Sequence, residues 1–405
     1  MSHALLVNAY ATGNHGDAAI VQGLIDVLRE AGATRVSVAP RDWRDAAGAW
    51  RSLGADGVVR PLISQHDAPA WARLHRILTL GYVMTRLGWL MILARLGIHA
   101  DAAARAYRDA DVIVSVGGAY LGGPKAGINL VKTANLAFAR SARRPMIVAP
   151  MTINPPSDKV RTLLRWGLRG ARVFVRDAPS RSLLGRIGIA STIVPDLAFR
   201  TPAVREAISA PPAPATGVLC WSPRSYRPDH DAWDQREALE DVCVEAVADV
   251  LNRTDLRLRF IPQVTASAED DDRIAIERLR SRLPRELADR VEVCEPAPDV
   301  SAAVQQYAQC ELLLASRLHA SILAMASGVP GLSIAYEPKV AGVLGGIGLG
   351  DRVVAVDASV SATDLAERLL RLREPEEVDR TRQAVRVTNA SFAPLVDALR
   401  TAMAS

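Results

Sequence analysis

The sequence lacks most of the features that would place it outside the ordinary class of globular enzymes. It has four cysteines, none of them in a Cys-x-x-Cys pair, which predicts neither a disulfide framework nor a zinc site. It has no Gly-x-Gly-x-x-Gly fingerprint, which argues against a dinucleotide site. It has no long Lys/Arg block and no RNA-binding signature, so we expect no nucleic-acid partner. The amino terminus lacks the basic segment and long apolar run of a signal peptide.

Residues 71–98 form the most apolar stretch of the chain. This stretch is too short and too charged to span a bilayer, because four arginines interrupt it: Arg73, Arg76, Arg86 and Arg95. Two interpretations stay open, namely basic amphipathic helices lying on a membrane and ordinary helices packed on a core. We therefore expect a cytoplasmic protein, with residues 71–98 as the candidate contact with the inner face of the plasma membrane.

Length and composition predict two folded domains. The chain has 405 residues, of which 49% are hydrophobic and 23% charged, about twice the size of one domain with an ordinary globular composition. The net charge of +5 fits an anionic substrate, an anionic membrane or a nucleic acid, and does not choose among them.

Strand-like apolar runs alternate with helical patterns on both sides of a proline-rich segment. This alternation predicts an α/β protein of two doubly wound, Rossmann-like domains, residues 1–200 and 217–360, with 201–216 as a linker. Residues 361–405 are predicted to be helical and to cross back onto the first domain. Ligands of doubly wound folds bind beyond the carboxyl ends of the strands, so we expect the active site in the cleft between the domains.

The most specific motif follows a predicted buried strand near the carboxyl end of the chain. Ser316 stands where a helix N-cap belongs, and Arg317 and His319 follow in the first helical turn. A guanidinium, free backbone N–H groups and an imidazole there suit a phosphate or carboxylate, with His319 able to move a proton. Lys339 opens the next helix, where the helix dipole disfavours a cation unless an anion lies nearby.

Other candidates also follow predicted strands. Arg176 occurs at the carboxyl end of a strand, where a charged side chain is unusual unless it faces a ligand, although a surface ion pair with Asp177 is an equally plausible role. Arg224 follows the first strand of the second domain, from which it could reach the cleft. Glycine-rich loops, which can form anion-binding backbone nests, follow two strands of the first domain. Plain packing is the alternative for these loops, whose candidate ligand-binding residues are Gly13, Asn14, Asp17, Gly117 and Gly118.

Together these motifs resemble the polysaccharide pyruvyl transferase family over nearly the whole chain. The residues that carry the resemblance are Asn8, Gly13, Asn14, Gly16 and Asp17; the strand and glycine run 111–121; Arg176, Asp177 and Ser180; Asp196, Ala198 and Phe199; Pro262 and Gln263 with the acidic run 270–272; Arg317, Leu318 and His319; Gly328 and Pro330; and Tyr336 and Lys339. Two positions depart from the family pattern, since Ala119 replaces a third glycine and His15 stands where an apolar residue is common.

The resemblance implies transfer of the pyruvyl group of phosphoenolpyruvate to two hydroxyls of a sugar, giving a cyclic ketal and phosphate. It also implies a fold similar to GT-B glycosyltransferases, with the donor held mainly by the second domain and the acceptor by the first. We assign Arg317, Lys339 and Arg176 to the donor's phosphate and carboxylate, with Ser316 and Arg224 beside them, and His319 to proton transfer as acid or base. The predicted acceptor side comprises Gly13, Asn14, Asp17, Gly117 and Gly118.

Several expectations and alternatives accompany this assignment. The family's acceptors suggest a sugar on a polyprenyl diphosphate or on a cell-surface polymer. We expect no resident cofactor and no metal, because the acidic run 269–272 fits a helix cap better than a metal site. The main alternative is a GT-B glycosyltransferase with a nucleotide-sugar donor. Two further alternatives are a non-catalytic glycan-binding protein and a nicotinamide-dependent oxidoreductase, and the sequence supports these less well.

Overall fold

The computed structural model describes residues 2–10, 14–40, 47–63, 76–98, 101–210, 216–225, 234, 236–267, 270–355 and 360–405. The chain divides into two compact units. The first contains residues 1–12, 20–197 and 391–405, and the second contains residues 13–19 and 198–390. The prediction of two α/β domains is confirmed.

The first unit is built on a parallel sheet with strand order β3-β2-β1-β4-β6-β7-β8, and β5 pairs with β6. Its strands are β1 (His3–Ala9), β2 (Arg35–Pro40), β3 (Gly57–Val58), β4 (Val112–Ser115), β5 (Gly118–Gly122), β6 (Met146–Asn154), β7 (Arg172–Val175) and β8 (Thr192–Ile193). The helices along this part of the chain are α1 (His15–Glu30), α2 (Ala47–Ser52), α3 (Arg76–Arg95), α4 (Ala102–Asp109), α5 (Ala126–Ser141), α6 (Asp158–Gly167) and α7 (Ala178–Arg186).

Both faces of this first sheet are buried. Leu5 and Val7 of β1 pack into a core with side chains of α3, α4 and α5, while the alternate residues Ala4 and Leu6 are also fully buried. Successive side chains of a strand point to opposite faces, so the sheet is covered on both sides. Such strands appear in the sequence as continuous apolar runs, which is why they could be recognised.

The second unit repeats the same plan with strand order β13-β10-β9-β14-β15-β16, all parallel. Its strands are β9 (Val218–Ser222), β10 (Arg257–Phe260), β11 (Thr265–Ser267), β12 (Asp270–Asp271), β13 (Val291–Val293), β14 (Leu312–Ala315), β15 (Gly331–Ala335) and β16 (Val353–Ala355), of which β11 and β12 form a separate antiparallel pair. The helices are α8 (Pro202–Ser209), α9 (Arg236–Arg253), α10 (Asp272–Arg280), α11 (Val300–Ala308), α12 (Leu318–Ala326), α13 (Pro338–Gly346), α14 (Ala362–Arg371) and α15 (Pro375–Ala390).

The last helix, α16 (Ala393–Ala404), belongs to the first unit. It contacts β4 and β6, and Arg400 donates a hydrogen bond of 3.2 Å to the Glu30 carbonyl at the end of α1.

Both sheets have a topological switch point beside their first strand. In the first unit the chain runs from β1 outward to β2 on one side and returns to β4 on the other. In the second unit β9 has β10 on one side and β14 on the other. Ligands of open α/β sheets bind beyond the carboxyl ends of such strand pairs, so each unit offers one such position.

The predicted linker 201–216 is wrong in its first half, because Pro202–Ser209 is helix α8. Thr201 caps this helix by accepting a hydrogen bond from the Val204 N–H, and Pro202 occupies the first turn, where its missing N–H costs nothing. The helix packs on α11, α12 and α15 within the second unit. The four prolines therefore include one that starts a helix rather than marking a flexible segment.

The backbone conformation at Gly122 and the close approach of Asn154 require glycine at this position, and a pair of glycine variants tests this. Its φ is +87°, and a Cβ would lie 2.8 Å and 2.9 Å from the backbone N and C of Asn154. We expect Gly122→Ala to destabilise the fold by about 1–2 kcal/mol through the left-handed backbone and by about 1–3 kcal/mol through the clash. Gly127→Ala, on an open surface of α5, should stabilise it by up to about 1 kcal/mol. Equal midpoints of denaturant unfolding for the two variants would contradict this.

Candidate active site

The candidate donor residues of the second unit lie in loops that follow four neighbouring strands. The sheet order places β10, β9, β14 and β15 side by side, so the segments after them share the carboxyl edge of the sheet. These segments carry Gln263 after β10, Arg224 after β9, Ser316 and Arg317 after β14, and Tyr336 and Lys339 after β15.

A single buried carboxylate joins three of these loops. Asp272 is fully buried, and its two oxygens accept hydrogen bonds from the backbone N–H groups of Ser225 (3.3 Å), Gln263 (3.2 Å) and Val264 (2.9 Å). The same carboxylate accepts two more from the Arg317 guanidinium, at 2.6 Å from Nη2 and 3.2 Å from Nε. Asp272 therefore fixes both the loops and the direction of Arg317.

Arg317 is a permanently charged group held between carboxylates. Its Nη2 also donates to Asp270 at 2.6 Å. Burial by itself would lower the pKa of Arg317, but the charges of Asp272 and Asp270 outweigh it and raise the pKa above its ordinary value. Arg317, not Ser316, is the N-cap residue of α12, so the prediction of Ser316 as the cap is wrong by one position. The Ser316 N–H instead donates to the Ser222 carbonyl at 2.9 Å, which ties β14 to β9.

Arg224 and Lys339 share one carboxylate and one aromatic ring. The Lys339 ammonium lies 2.7 Å from Glu337, and the Arg224 guanidinium lies 3.6 Å from the other oxygen of Glu337. The Arg224 guanidinium carbon lies 4.2 Å from the centre of the Tyr336 ring, a cation–π contact. The anion that a lysine at a helix start requires is thus the chain's own Glu337, the N-cap of α13.

His319 lies against the start of α1, which belongs to the second unit. A Cβ on Gly16 would lie 2.7 Å from the Cβ of His319 and closer still to its imidazole ring. The glycine of the Asn-x-Gly-Asp segment is therefore needed for the imidazole to occupy its position. This contact links the N-terminal motif with the Arg-Leu-His motif, more than three hundred residues later in the chain.

Asn14, rather than Asp17, caps the start of α1. Its side-chain oxygen accepts from the Gly16 N–H at 2.9 Å, and its amide donates to Asp17 at 3.2 Å. Asn14 also forms an isolated antiparallel bridge with Val264, whose N–H donates to Asp272. The role of Asn14 and Asp17 toward an acceptor stays a prediction. Gly13 lies outside the described residues.

His15, which departs from the family pattern, is half-buried near α11. Burial lowers the pKa of His15 below its ordinary value, and the Asp299 charge and the Ala297 carbonyl offset this only in part. The imidazole is therefore mainly neutral at neutral pH.

Arg176 belongs to a closed network inside the first unit. Its guanidinium is buried, pairs with Asp196 and donates to the Thr152 hydroxyl at 2.9 Å. Asp177 accepts from the same hydroxyl at 2.6 Å and caps α7 through the Ser180 N–H at 2.7 Å. The Arg-Asp-x-x-Ser and Asp-x-Ala-Phe segments thus bond to each other. A surface pair of Arg176 with Asp177, the alternative considered above, does not form.

The Gly117-Gly118 loop has two structural constraints of its own. A Cβ on Gly117 would collide with the Pro150 carbonyl oxygen of β6, and Gly118 has a φ of +127°. The tight packing that was the alternative to ligand contact is therefore present, and acceptor binding by these glycines stays a prediction.

Sequence reasoning missed Asp272 and Glu337 as members of the site. Asp272 was grouped with the acidic run as a helix cap, although Asp271 is the actual N-cap of α10. The available signal was a carboxylate in the segment that follows β10, at the same edge of the sheet as Arg317. In the part of the chain that the structure describes, no group of three or more His, Cys, Asp and Glu side chains could hold a metal ion.

Comparison with known families identifies this set of motifs. A family model described as polysaccharide pyruvyl transferase matches residues 14–338. The chain belongs to this family. The matched region runs from Asn14 through Arg317 and His319 to Pro338, so it contains both ends of the Gly16–His319 contact. Among curated proteins, no sequence relative of this transferase is found.

Solved structures show which fold the transferase shares. A Listeria monocytogenes protein assigned as a UDP-N-acetylglucosamine 2-epimerase is 12% identical with a TM-score of 0.59, covering 96% of this chain and 93% of its own. MurG of Acinetobacter baumannii is 12% identical with a TM-score of 0.53 and coverages of 99% and 100%. HepE of Anabaena, solved with UDP and glucose, is 12% identical with a TM-score of 0.55 and coverages of 98% and 100%. The predicted GT-B-like fold is confirmed.

A substitution at Asp272 tests its role in the fold of the transferase. In Asp272→Asn, an amide N–H₂ would face two backbone donors and Arg317 would lose a buried countercharge, so we expect a loss of about 3–5 kcal/mol of unfolding free energy. Asp271→Asn is the matched control and should cost little, because asparagine caps helices as well as aspartate. Chemical denaturation of both variants measures the difference. Similar stability of the two variants would show that Asp272 does not hold the loops together.

Proposed function

We propose that the protein transfers the pyruvyl group of phosphoenolpyruvate onto two hydroxyls of one sugar, forming a cyclic ketal and releasing phosphate. The observation that carries the proposal is that Arg317, His319 and Lys339 follow the neighbouring strands β14 and β15 at the carboxyl edge of the second sheet, in a member of the pyruvyl transferase family. The acceptor is a polysaccharide or its lipid-linked precursor, consistent with the family.

The donor requires fixed cations, because phosphoenolpyruvate carries a phosphate and a carboxylate. Arg224, Arg317 and Lys339 are cationic side chains in the described segments that follow β9, β14 and β15. Charge-assisted hydrogen bonds to such groups are stronger than neutral ones. Arg176 is not part of this donor site in our proposal, because its side chain is only 1% exposed and is enclosed within the first unit by Asp196 and Thr152, whereas the side chains of Arg317 and Lys339 are 10% and 19% exposed.

The reaction needs proton transfer but no electron transfer. The methylene carbon of phosphoenolpyruvate takes up a proton, and the first sugar hydroxyl bonds to C2 and loses its proton. Phosphate then leaves C2 with its bonding electrons, and the second hydroxyl bonds there and loses its own proton. One of the two protons lost balances the new methyl group and the other leaves on hydrogen phosphate. We therefore propose that neither a cofactor nor a metal is required.

His319 is the residue that we assign to proton transfer at the donor. It occupies the second position of α12, beside the Arg317 N-cap. The backbone N–H groups of a helix's first turn favour an anion there. An anionic donor bound at this helix start would lie within reach of the imidazole.

Phosphoenolpyruvate binding and turnover can be separated by three variants. Phosphoenolpyruvate should stabilise the wild type against thermal unfolding. Lys339→Met should lower the affinity for phosphoenolpyruvate roughly 10-fold or more, and so reduce this stabilisation, since a charge-assisted hydrogen bond is worth about 1.5–3 kcal/mol. His319→Asn should keep this stabilisation and lose about 10²–10⁴-fold in kcat. Gly16→Ala should behave like His319→Asn, because the new methyl group displaces the imidazole.

Thermal melting with phosphoenolpyruvate and with a panel of nucleotide sugars provides the measurement, and Gly185→Ala on an open surface of α7 is the control for the glycine change. Arg317→Ala is unsuitable because it leaves Asp272 buried without its cation. Stabilisation by a nucleotide sugar and not by phosphoenolpyruvate would refute the proposal and favour a GT-B glycosyltransferase.

We further propose that α3 docks the enzyme on the cytoplasmic face of a membrane that carries the lipid-linked acceptor. One side of α3 packs on the core through Leu87 and Leu90, while Trp89 of the helix and Leu96 in the turn that follows it are 62% and 70% exposed. Residues 71–98 contain four arginines and no Asp or Glu, and only Arg86 of these is seen to pair with a carboxylate among the described residues, that of Asp101, so the stretch is basic and complements anionic lipid. No helix among the described residues is long and apolar enough to cross a membrane.

Vesicle sedimentation tests this contact. We expect the wild type to sediment with vesicles of phosphatidylglycerol and phosphatidylcholine, and Trp89→Ser with Leu96→Ser to reduce the bound fraction several-fold, because interfacial binding scales with buried apolar area. Val387→Ser on α15 is the matched control, since Val387 is also 62% exposed. Unchanged sedimentation of the double variant, or none for the wild type, would exclude docking through α3.

A further inference from the structure

A buried lysine that the sequence analysis did not single out lies at the switch point of the first sheet. Lys132 of α5 is 6% exposed, and its ammonium donates to the Tyr120 carbonyl oxygen at 3.1 Å and to the Tyr10 hydroxyl. The same ammonium lies 4.6 Å from the centre of the Tyr10 ring and 4.2 Å from that of Tyr120. These contacts fix both rings relative to one cation.

The two tyrosines form a pair of adjacent aromatic faces. Their ring centres are 5.3 Å apart with an angle of 45° between the planes, and both side chains are only partly buried. The Tyr120 hydroxyl lies 2.9 Å from the Ser115 hydroxyl, which immobilises its ring from the far end. The pair thus combines exposed aromatic surface with a rigid frame.

The backbone beside the pair is held in a conformation that few residues adopt. Asn8 has a φ of +62°, and its amide donates to the Ser115 hydroxyl at 2.9 Å while its oxygen accepts from Asn135 at 2.8 Å. The pairing of β1 with β2 is interrupted at the same position. Such strained positions persist where surrounding contacts over-determine them, and they cluster at ligand sites.

The chemistry of this group is that of a sugar site. Tyr10 follows β1 and Tyr120 lies in β5, just beyond β4, so both occupy the edge of the sheet where doubly wound folds bind ligands. Binding sites typically combine aromatic surface with a few fixed polar groups. Aromatic faces suit the C–H face of a pyranose, and the polar groups around these two rings fix their orientation.

We propose that Tyr10 and Tyr120 bind the acceptor sugar by stacking and that Lys132 is the positioning residue that holds both rings. This inference rests on the sugar acceptor of the proposed function and adds the residues that recognise it. Gly117 and Gly118 then allow the close turn before Tyr120 rather than contacting the sugar themselves.

Saturation-transfer NMR on the full chain, with methyl α- and β-hexopyranosides of glucose, galactose and mannose as probes, tests the proposal. On irradiation of the protein's aromatic protons, we expect transfer to the ring protons of at least one glycoside. Tyr10→Leu and Lys132→Met should reduce this transfer at least about 5-fold, whereas Tyr10→Phe, which keeps the ring, should retain most of it. Lys125→Met, at the exposed N-cap of the same helix, is the matched control.

Thermal stabilisation by phosphoenolpyruvate is measured on every variant and confirms that each one folds. The proposal is supported if Tyr10→Leu keeps its thermal stabilisation by phosphoenolpyruvate and loses saturation transfer to the glycosides. The proposal is overturned if saturation transfer to the glycosides is as strong in both Tyr10→Leu and Lys132→Met as in the wild type. It is also overturned if the wild type is stabilised by phosphoenolpyruvate but shows no saturation transfer to any probe. If the wild type shows saturation transfer to a glycoside but is not stabilised by phosphoenolpyruvate, the proposed donor is refuted and the proposed sugar site is still supported.

Discussion

The candidate site depends on one fully buried carboxylate, that of Asp272. Removing a charge from water is expensive, and a buried ion pair is rarely worth more than a packed apolar pair of the same shape. Asp272 offsets that cost with three backbone N–H groups and two hydrogen bonds from Arg317. The result is conformational: the segments after β9, β10 and β14 are tied at one point, and the guanidinium has a single direction. His319 follows Arg317 by two residues, so its backbone position depends on the same bonds.

The fold could be predicted because its main signals are local. Strands buried on both faces appear as short apolar runs, as in β4, β9 and β14, and the helices between them show clear caps and stops. The prediction of a linker over residues 201–216 was wrong at α8 because proline content alone does not distinguish a flexible segment from the first turn of a helix. Pro202 after Thr201 is a helix start, whereas the proline-containing segment 211–215 lies outside the described residues.

The site was predictable only where one short segment carried several of its groups. Ser316, Arg317 and His319 share a strand-to-helix junction, so topology alone places them at the sheet edge. The partners of these groups are distant in sequence: Arg317 meets Asp272 across 45 residues, and Lys132 meets Tyr10 across 122. A single sequence does not reveal such pairings. For the same reason the Arg176 motif resembled a ligand site, although its guanidinium pairs with Asp196, 20 residues later.

The charge balance of the second unit's site has a consequence for the proposed reaction. Arg317 faces Asp270 and Asp272, and Arg224 and Lys339 share Glu337. Cations without these carboxylates would bind substrate and the released phosphate alike, and uniform binding of that kind does not lower the barrier. Carboxylates at the same edge weaken the hold on any simple anion. The site can then favour an arrangement in which C2 becomes cationic while its phosphate is still bound, because the carboxylates stabilise the positive centre and the guanidinium and ammonium stabilise the departing phosphate. The acidic residues beside the cations are therefore as much a part of the proposed chemistry as the cations themselves.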